Sequence, residues 1–223
     1  MIKKIILLIF IIFVIFSCYT HKIILNADRN SGQMIIEYTM DDDYFQLISM
    51  ACLNFQSENN EQFDPTILID EELFKKSFKN NNLLKLKSVN ITMTDNGDQA
   101  VYNGKIVIDF YDLNRLLNIM PKQMVNLSVK KQNNLTTLTQ TIDYNKLDPD
   151  GVFKDFVMQQ KEDDINLYNK LMQKTKFKFI VNSALPLKYT EGVVVSSDKK
   201  TAEYTFKIND IISGKILKFI ISF

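Results

Sequence analysis

Apolar and polar residues alternate most cleanly near the C-terminus. There Ala202, Tyr204, Phe206 and Ile208 face one way, and Thr201, Glu203, Thr205 and Lys207 the other. A period of two marks a strand with one buried face, here Thr201–Ile208. The pattern recurs at Gln33–Met40, where Met34, Ile36, Tyr38 and Met40 share a face opposite Glu37 and Thr39. Lys22–Ala27 joins that strand through Asp28-Arg29-Asn30-Ser31-Gly32, a run of turn-forming residues that predicts a β-hairpin. A second hairpin, Leu84–Thr94 with Gln99–Phe110, closes around Asp95-Asn96-Gly97-Asp98; Tyr102, Ile106, Ile108 and Phe110 line one face of it. Further strands are predicted at Met124–Lys131, Leu135–Tyr144, Lys176–Asn182, Gly192–Ser196 and Lys215–Phe223.

Helical spacing interrupts the strands. Asp41–Asp43 can cap a helix over Tyr44–Phe55, with Phe45, Ile48, Cys52 and Phe55 on one side. Asp70 caps a second, Glu71–Lys79, whose apolar stripe is Leu73, Phe74 and Phe78. Asp112–Ile119 is a short third. The longest predicted helix, Val152–Lys174, carries Phe153, Phe156, Val157, Leu167 and Leu171 on one face and the charged run Lys161–Asp164 in its middle. The expected class is α+β: antiparallel β-hairpins and a meander sheet with inserted helices, one long helix packed on the sheet. Residues 18–223 read as a single domain. The alternative is two lobes divided near 145–151, where Asp148-Pro149-Asp150-Gly151 breaks the pattern.

The first residues differ in kind. Lys3 and Lys4 precede an apolar run, Ile5–Phe16, and a small residue, Ser17, stands before Cys18. Twelve residues make ~18 Å of helix, short of the ~30 Å hydrocarbon core, so the run suits a cleaved signal better than a permanent span. Ile15-Phe16-Ser17-Cys18 resembles a bacterial lipobox of the permissive spirochaete type, Phe16 being its departure. The expectation is a lipoprotein signal peptide over 1–17 and lipidation of Cys18. The protein is then exported and anchored by acyl chains such as palmitate to a bacterial cell-envelope membrane, on its periplasmic face or the cell surface. The alternative is an uncleaved anchor, or an ordinary signal that happens to contain a cysteine.

Charge narrows the partners. There are 27 Lys and Arg against 26 Asp and Glu, and losing Lys3 and Lys4 with the leader brings the formal charge to −1. Such a chain has no electrostatic footprint for nucleic acid. Nor does the sequence show a basic cluster for anionic headgroups, which leaves attachment to the acyl anchor. Cys52, with Cys18 spent on lipid, reads as a small core residue. His21 is the only histidine and reads as an exposed linker residue beside the anchor. No histidine-based triad, His-Glu-x-x-His, Cys-x-x-Cys or phosphate-binding glycine loop occurs in the domain, so no catalytic residue, metal ligand or cofactor is assigned. Asp41–Asp43 and Asp148/Asp150 lack the remaining spacing of a calcium loop; capping and turn formation explain them. The composition is rich in pliable apolar groups, with 16 Phe, nine Tyr and nine Met. Most belong to an ordinary core; a surplus would suit an adaptable apolar cavity.

Cys18, the strand that follows at once, and Asp28-Arg29-Asn30-Ser31-Gly32 resemble the start of LppM-like bacterial lipoproteins. So do Ile108-Asp109-Phe110-Tyr111-Asp112-Leu113 with Leu116, and the ending through Pro186, Gly192 and Thr201–Phe206. The resemblance implies a small α+β lipoprotein domain with an apolar cavity, associated with lipids or glycolipids. A C-terminal transmembrane helix of that family has no counterpart in the nine residues of Lys215–Phe223. The functional expectation is a membrane-anchored lipoprotein that binds a lipid or other apolar ligand between sheet and helices. From facing and amphipathicity, its lining would be Tyr38, Phe45, Phe110, Phe153, Phe156, Phe179, Tyr204 and Phe206. Two rivals remain: a surface interaction lipoprotein with no small ligand, its protein partner unspecified, and a phospholipid hydrolase that works without histidine.

Overall fold

The computed structural model describes residues 18–43, 45, 65–78, 84–95, 97, 99–114, 116, 126–132, 135–143, 152–163, 165–166, 168–169, 176–207, 209–210, 213 and 216–223. The predicted helix at Tyr44–Phe55, with Cys52, and the turn at 144–151 fall largely outside them. Strand dominates, in two sheets. The strands are β1 (Cys18–Leu25), β2 (Gly32–Asp41), β3 (Lys85–Asp95), β4 (Ala100–Phe110), β5 (Asn126–Gln132), β6 (Leu135–Ile142), β7 (Lys176–Ser183), β8 (Tyr189–Glu191), β9 (Val194–Val195), β10 (Thr201–Lys207) and β11 (Leu217–Ser222). Seven form the larger sheet, in the order β3-β4-β2-β1-β7-β10-β9. Four form the smaller, β5-β6-β11-β8.

Both predicted hairpins are present. The first is held at its turn by Asp28, whose carboxylate accepts hydrogen bonds from the Asn30 and Ser31 N–H groups at 2.9 and 3.0 Å and from the Ser31 hydroxyl at 2.7 Å. These bonds, the Ser31 N–H first, hold the Asp28 carboxyl below its ordinary range. They also fix Arg29 in the left-handed region, at φ 56°. The larger sheet is not a pure meander. β1 pairs in parallel with β7, Cys18 beside Lys176 through Leu25 beside Ser183, so the N-terminal strand lies near the middle of the sheet.

The inner face is set by the two-residue period. Ile23 and Leu25, Met34 to Met40, Ile106 to Phe110, Phe177 to Val181 and Ala202 to Phe206 are buried in one cluster, which Leu138, Phe219, Ile221 and Phe223 of the smaller sheet and its end join. At the β3 side the cover is a 3-10 turn, Pro65–Leu68, and helix α1 (Glu71–Phe78), which contribute Leu68 and Phe74. Asp70 caps α1, its Oδ1 accepting from Glu72 N–H at 2.9 Å and Leu73 N–H at 3.0 Å. Asp70→Ala is expected to cost about 1 kcal/mol. A urea midpoint unchanged by the substitution would contradict the cap.

Two expectations about helices fail. Leu73 is not part of the buried stripe; it is 38% exposed, and Phe74 alone turns inward among the described side chains of α1. The long helix, α2 (Val152–Asp163), does not pack on the sheet. Asp155, Met158, Gln159 and Lys161–Asp163 are exposed, a surface too polar to bury against strands. The class still roughly fits α+β, but it is mostly strand, two sheets with few short helices.

Candidate functional site

Where β7 and β10 face the smaller sheet, aromatic rings stack in series. Phe177 stacks on Phe206 with ring centroids 4.9 Å apart, and Phe179 lies 5.1 Å from Tyr204. Tyr204 stacks face to face on Phe219 of β11 at 3.5 Å and 7°. His21 meets the Phe179 ring edge-on at 5.0 Å. The period of two explains the cluster: Phe177 and Phe179, and Tyr204 and Phe206, are inward positions of adjacent antiparallel strands, paired in register.

Within this apolar volume lie polar groups. The Tyr204 hydroxyl and the Gln140 side-chain carbonyl oxygen are buried and have no hydrogen-bond partner among the described residues. Both neighbour Phe219: Tyr204 stacks on it, and Gln140 is its register partner in β6. Burial pushes the Tyr204 hydroxyl far up from its ordinary pKa, so it stays protonated. His21 is 1% exposed, and burial pushes its pKa down from 6.5 to about 3. The imidazole is neutral at physiological pH. The reading of His21 as an exposed linker residue is thus overturned. β1 begins at Cys18 rather than after His21, which gives His21 the inward parity of Ile23 and Leu25.

The eight candidate lining residues divide. Phe179, Tyr204 and Phe206 come together in the aromatic series. Tyr38 is buried farther along the same face, where its hydroxyl donates to the Leu68 carbonyl at 2.6 Å. Phe110 pairs with Gly32 at the opposite end of the sheet, four residue rows or ~13 Å from the row of His21 and Phe179. Phe45 is partly buried against Tyr102 at 6.3 Å. The side chains of Phe153 and Phe156 lie outside the described ones. Phe177, Phe219, Gln140 and His21 were missed. Phe177 and Phe219 had a usable signal, since each alternates with a buried neighbour, Phe179 or Ile221.

The chain is weakly similar to the folded domain of LppM from Mycobacterium tuberculosis, solved by NMR, with 13% identity and a TM-score of 0.39 over 92% of this chain and 86% of that one. No family model matches, and no curated protein does. Membership of the LppM-like family is not shown by a likeness of this size. The functional reading rests on the chain's own residues.

A hollow of about 340 Å³ opens on the outer face of the larger sheet, lined among others by Thr20, Thr39, Asn90, Thr92 and Asn103. Beside it Glu37 and Lys105 form an ion pair at 2.7 Å, and the Thr39 hydroxyl donates to Asn103 at 2.8 Å. Hydroxyls and amides suit a polar group there, not a hydrocarbon tail. Among the described residues no group of three His, Cys, Asp or Glu side chains could hold a metal ion, and no described helix is long and apolar enough to cross a membrane.

Proposed function

We propose that the chain is an exported lipoprotein, acylated at Cys18, whose two sheets hold an apolar guest bearing one polar group. The anchor is supported by the leader and by the placement of Cys18 as the first residue of a central strand, which would seat the domain directly on the bilayer. The guest is supported by one observation: the buried Tyr204 hydroxyl and Gln140 side-chain oxygen, both beside Phe219, have no hydrogen-bond partner among the described residues. A buried hydroxyl or amide left unsatisfied costs about 1–3 kcal/mol, and a guest hydroxyl, carboxylic acid or amide would satisfy both groups.

Native mass spectrometry of the detergent-extracted protein tests both parts. The expected result is a mature mass that begins at Cys18 with added acyl groups, plus a non-covalent lipid-sized adduct released on collision. The double substitution Tyr204→Phe with Gln140→Leu should lower adduct occupancy while keeping the stacked rings. No adduct, with a double variant as stable as the parent or more so, would mean that these side chains simply fill the interior. The reading as an interaction lipoprotein is favoured by a different feature. Tyr189 on β8 and Val194 on β9 are 53% and 70% exposed, on edge strands of the two sheets.

A further inference from the structure

We propose that the end of β1, β7 and β10 at Cys18 rests on anionic phosphate headgroups of the bilayer, with Lys176 and Lys207 as its contacts; this deepens, and rests on, the acylation of Cys18. Register carries the argument. Cys18 of β1 lies beside Lys176 of β7, and Lys176 lies directly opposite Lys207 of β10. At ~4.8 Å per strand, both lysines fall within ~10 Å of the residue that would carry the acyl chains. The two come from segments far apart in sequence, so no basic cluster appears in the chain as written.

Two like charges directly opposite on adjacent strands repel. Elsewhere on the same outer face two lysines are neutralised: Lys178 pairs with Glu203 at 2.9 Å and Lys105 with Glu37 at 2.7 Å. Lys176 and Lys207 are exposed and have no ion pair among the described residues. Asp210 is the nearest acid in sequence, and its carboxylate accepts the Lys207 backbone N–H at 3.1 Å. The acids at this end of β2 and β3, Asp41 and Asp95, lie across the sheet. Asp41 on β2 is two strands and two rows from Lys176, ~12 Å or more than a Debye length in physiological salt. Asp42 accepts the Ala100 N–H, and Asp43 accepts the Gln99 amide. A phosphate anion between the two lysines removes their repulsion. Their long stems let both ammonium groups reach it, Lys176 from the strand beside the anchor and Lys207 from the next strand on the same side.

The full protein, made in bacteria and extracted with detergent, is reconstituted into vesicles of phosphatidylcholine alone or with phosphatidylglycerol. Reductive methylation of each lysine is then followed by mass spectrometry. Lys176 and Lys207 are expected to react roughly fivefold more slowly on the anionic vesicles, the factor that ~1 kcal/mol per lysine implies, and high salt should abolish the difference. Lys199 and Lys200, at the opposite end of the sheet, should react equally on both. Equal rates for Lys176 and Lys207 on the two vesicles, with acyl groups present on Cys18, overturn this contact and leave the lipoprotein reading standing. An unacylated Cys18 in the same spectra overturns both.

Discussion

Gly104→Ala is expected to destabilise the protein by about 3 kcal/mol, through overpacking and the strain it puts on a buried hydrogen bond. Gly104 on β4 is the register partner of Tyr38 on β2, and both positions point inward. The Tyr38 ring lies over the glycine, so that a β-carbon added there would fall within the ring. Tyr38 has no easy retreat. It is 3% exposed, and its hydroxyl is tied to the Leu68 carbonyl, which fastens the 3-10 turn to the sheet. A β-carbon at residue 104 therefore displaces the ring, the bond and the turn together. The check is a double-mutant cycle by urea unfolding. In a Tyr38→Val background Gly104→Ala should cost under about 1 kcal/mol, because the obstructing ring is gone. Equal costs in both backgrounds would refute the ring as the cause.

Acid should weaken the fold from about pH 6.5 downward, and His21 is the reason. Its pKa in the folded protein is about 3 against 6.5 for the free side chain. Between those values the unfolded chain takes up a proton that the native state refuses, so stability falls as pH drops. Going from about pH 7 to about pH 5 should cost about 2 kcal/mol, at roughly 1.4 kcal/mol per pH unit below the unfolded value. Because His21 is the only histidine, this window isolates it from Asp and Glu. His21→Phe should flatten the slope while keeping a ring against Phe179. Unfolding free energies that stay level from pH 7 to 5 in the parent would show that the imidazole is not held neutral.

Both effects arise from positions whose sequence signal was incomplete. Gly104 was visible between Tyr102 and Ile106 as an interruption of an inward face, but nothing local tells which ring covers it. His21 reads as a linker residue because it stands three residues from the cysteine expected to carry the anchor. Pairing with β2 and β7 extends β1 back to Cys18 and turns the imidazole inward.

The chain's own pattern determined most of the strands, the two hairpins, the Asp70 cap and which strand faces are apolar. These are local properties, fixed by side-chain period, turn chemistry and capping within a few residues. Only the tertiary structure decided that β1 lies beside β7, that Leu138, Phe219 and Ile221 of a second sheet join the core while α2 does not pack on the sheet, and that Gln140 and Tyr204 share Phe219. It likewise brought Lys176 and Lys207 next to Cys18. The physical reason is that pairing between distant strands depends on the free energy of the whole interior, so a segment's partner is written in no segment alone.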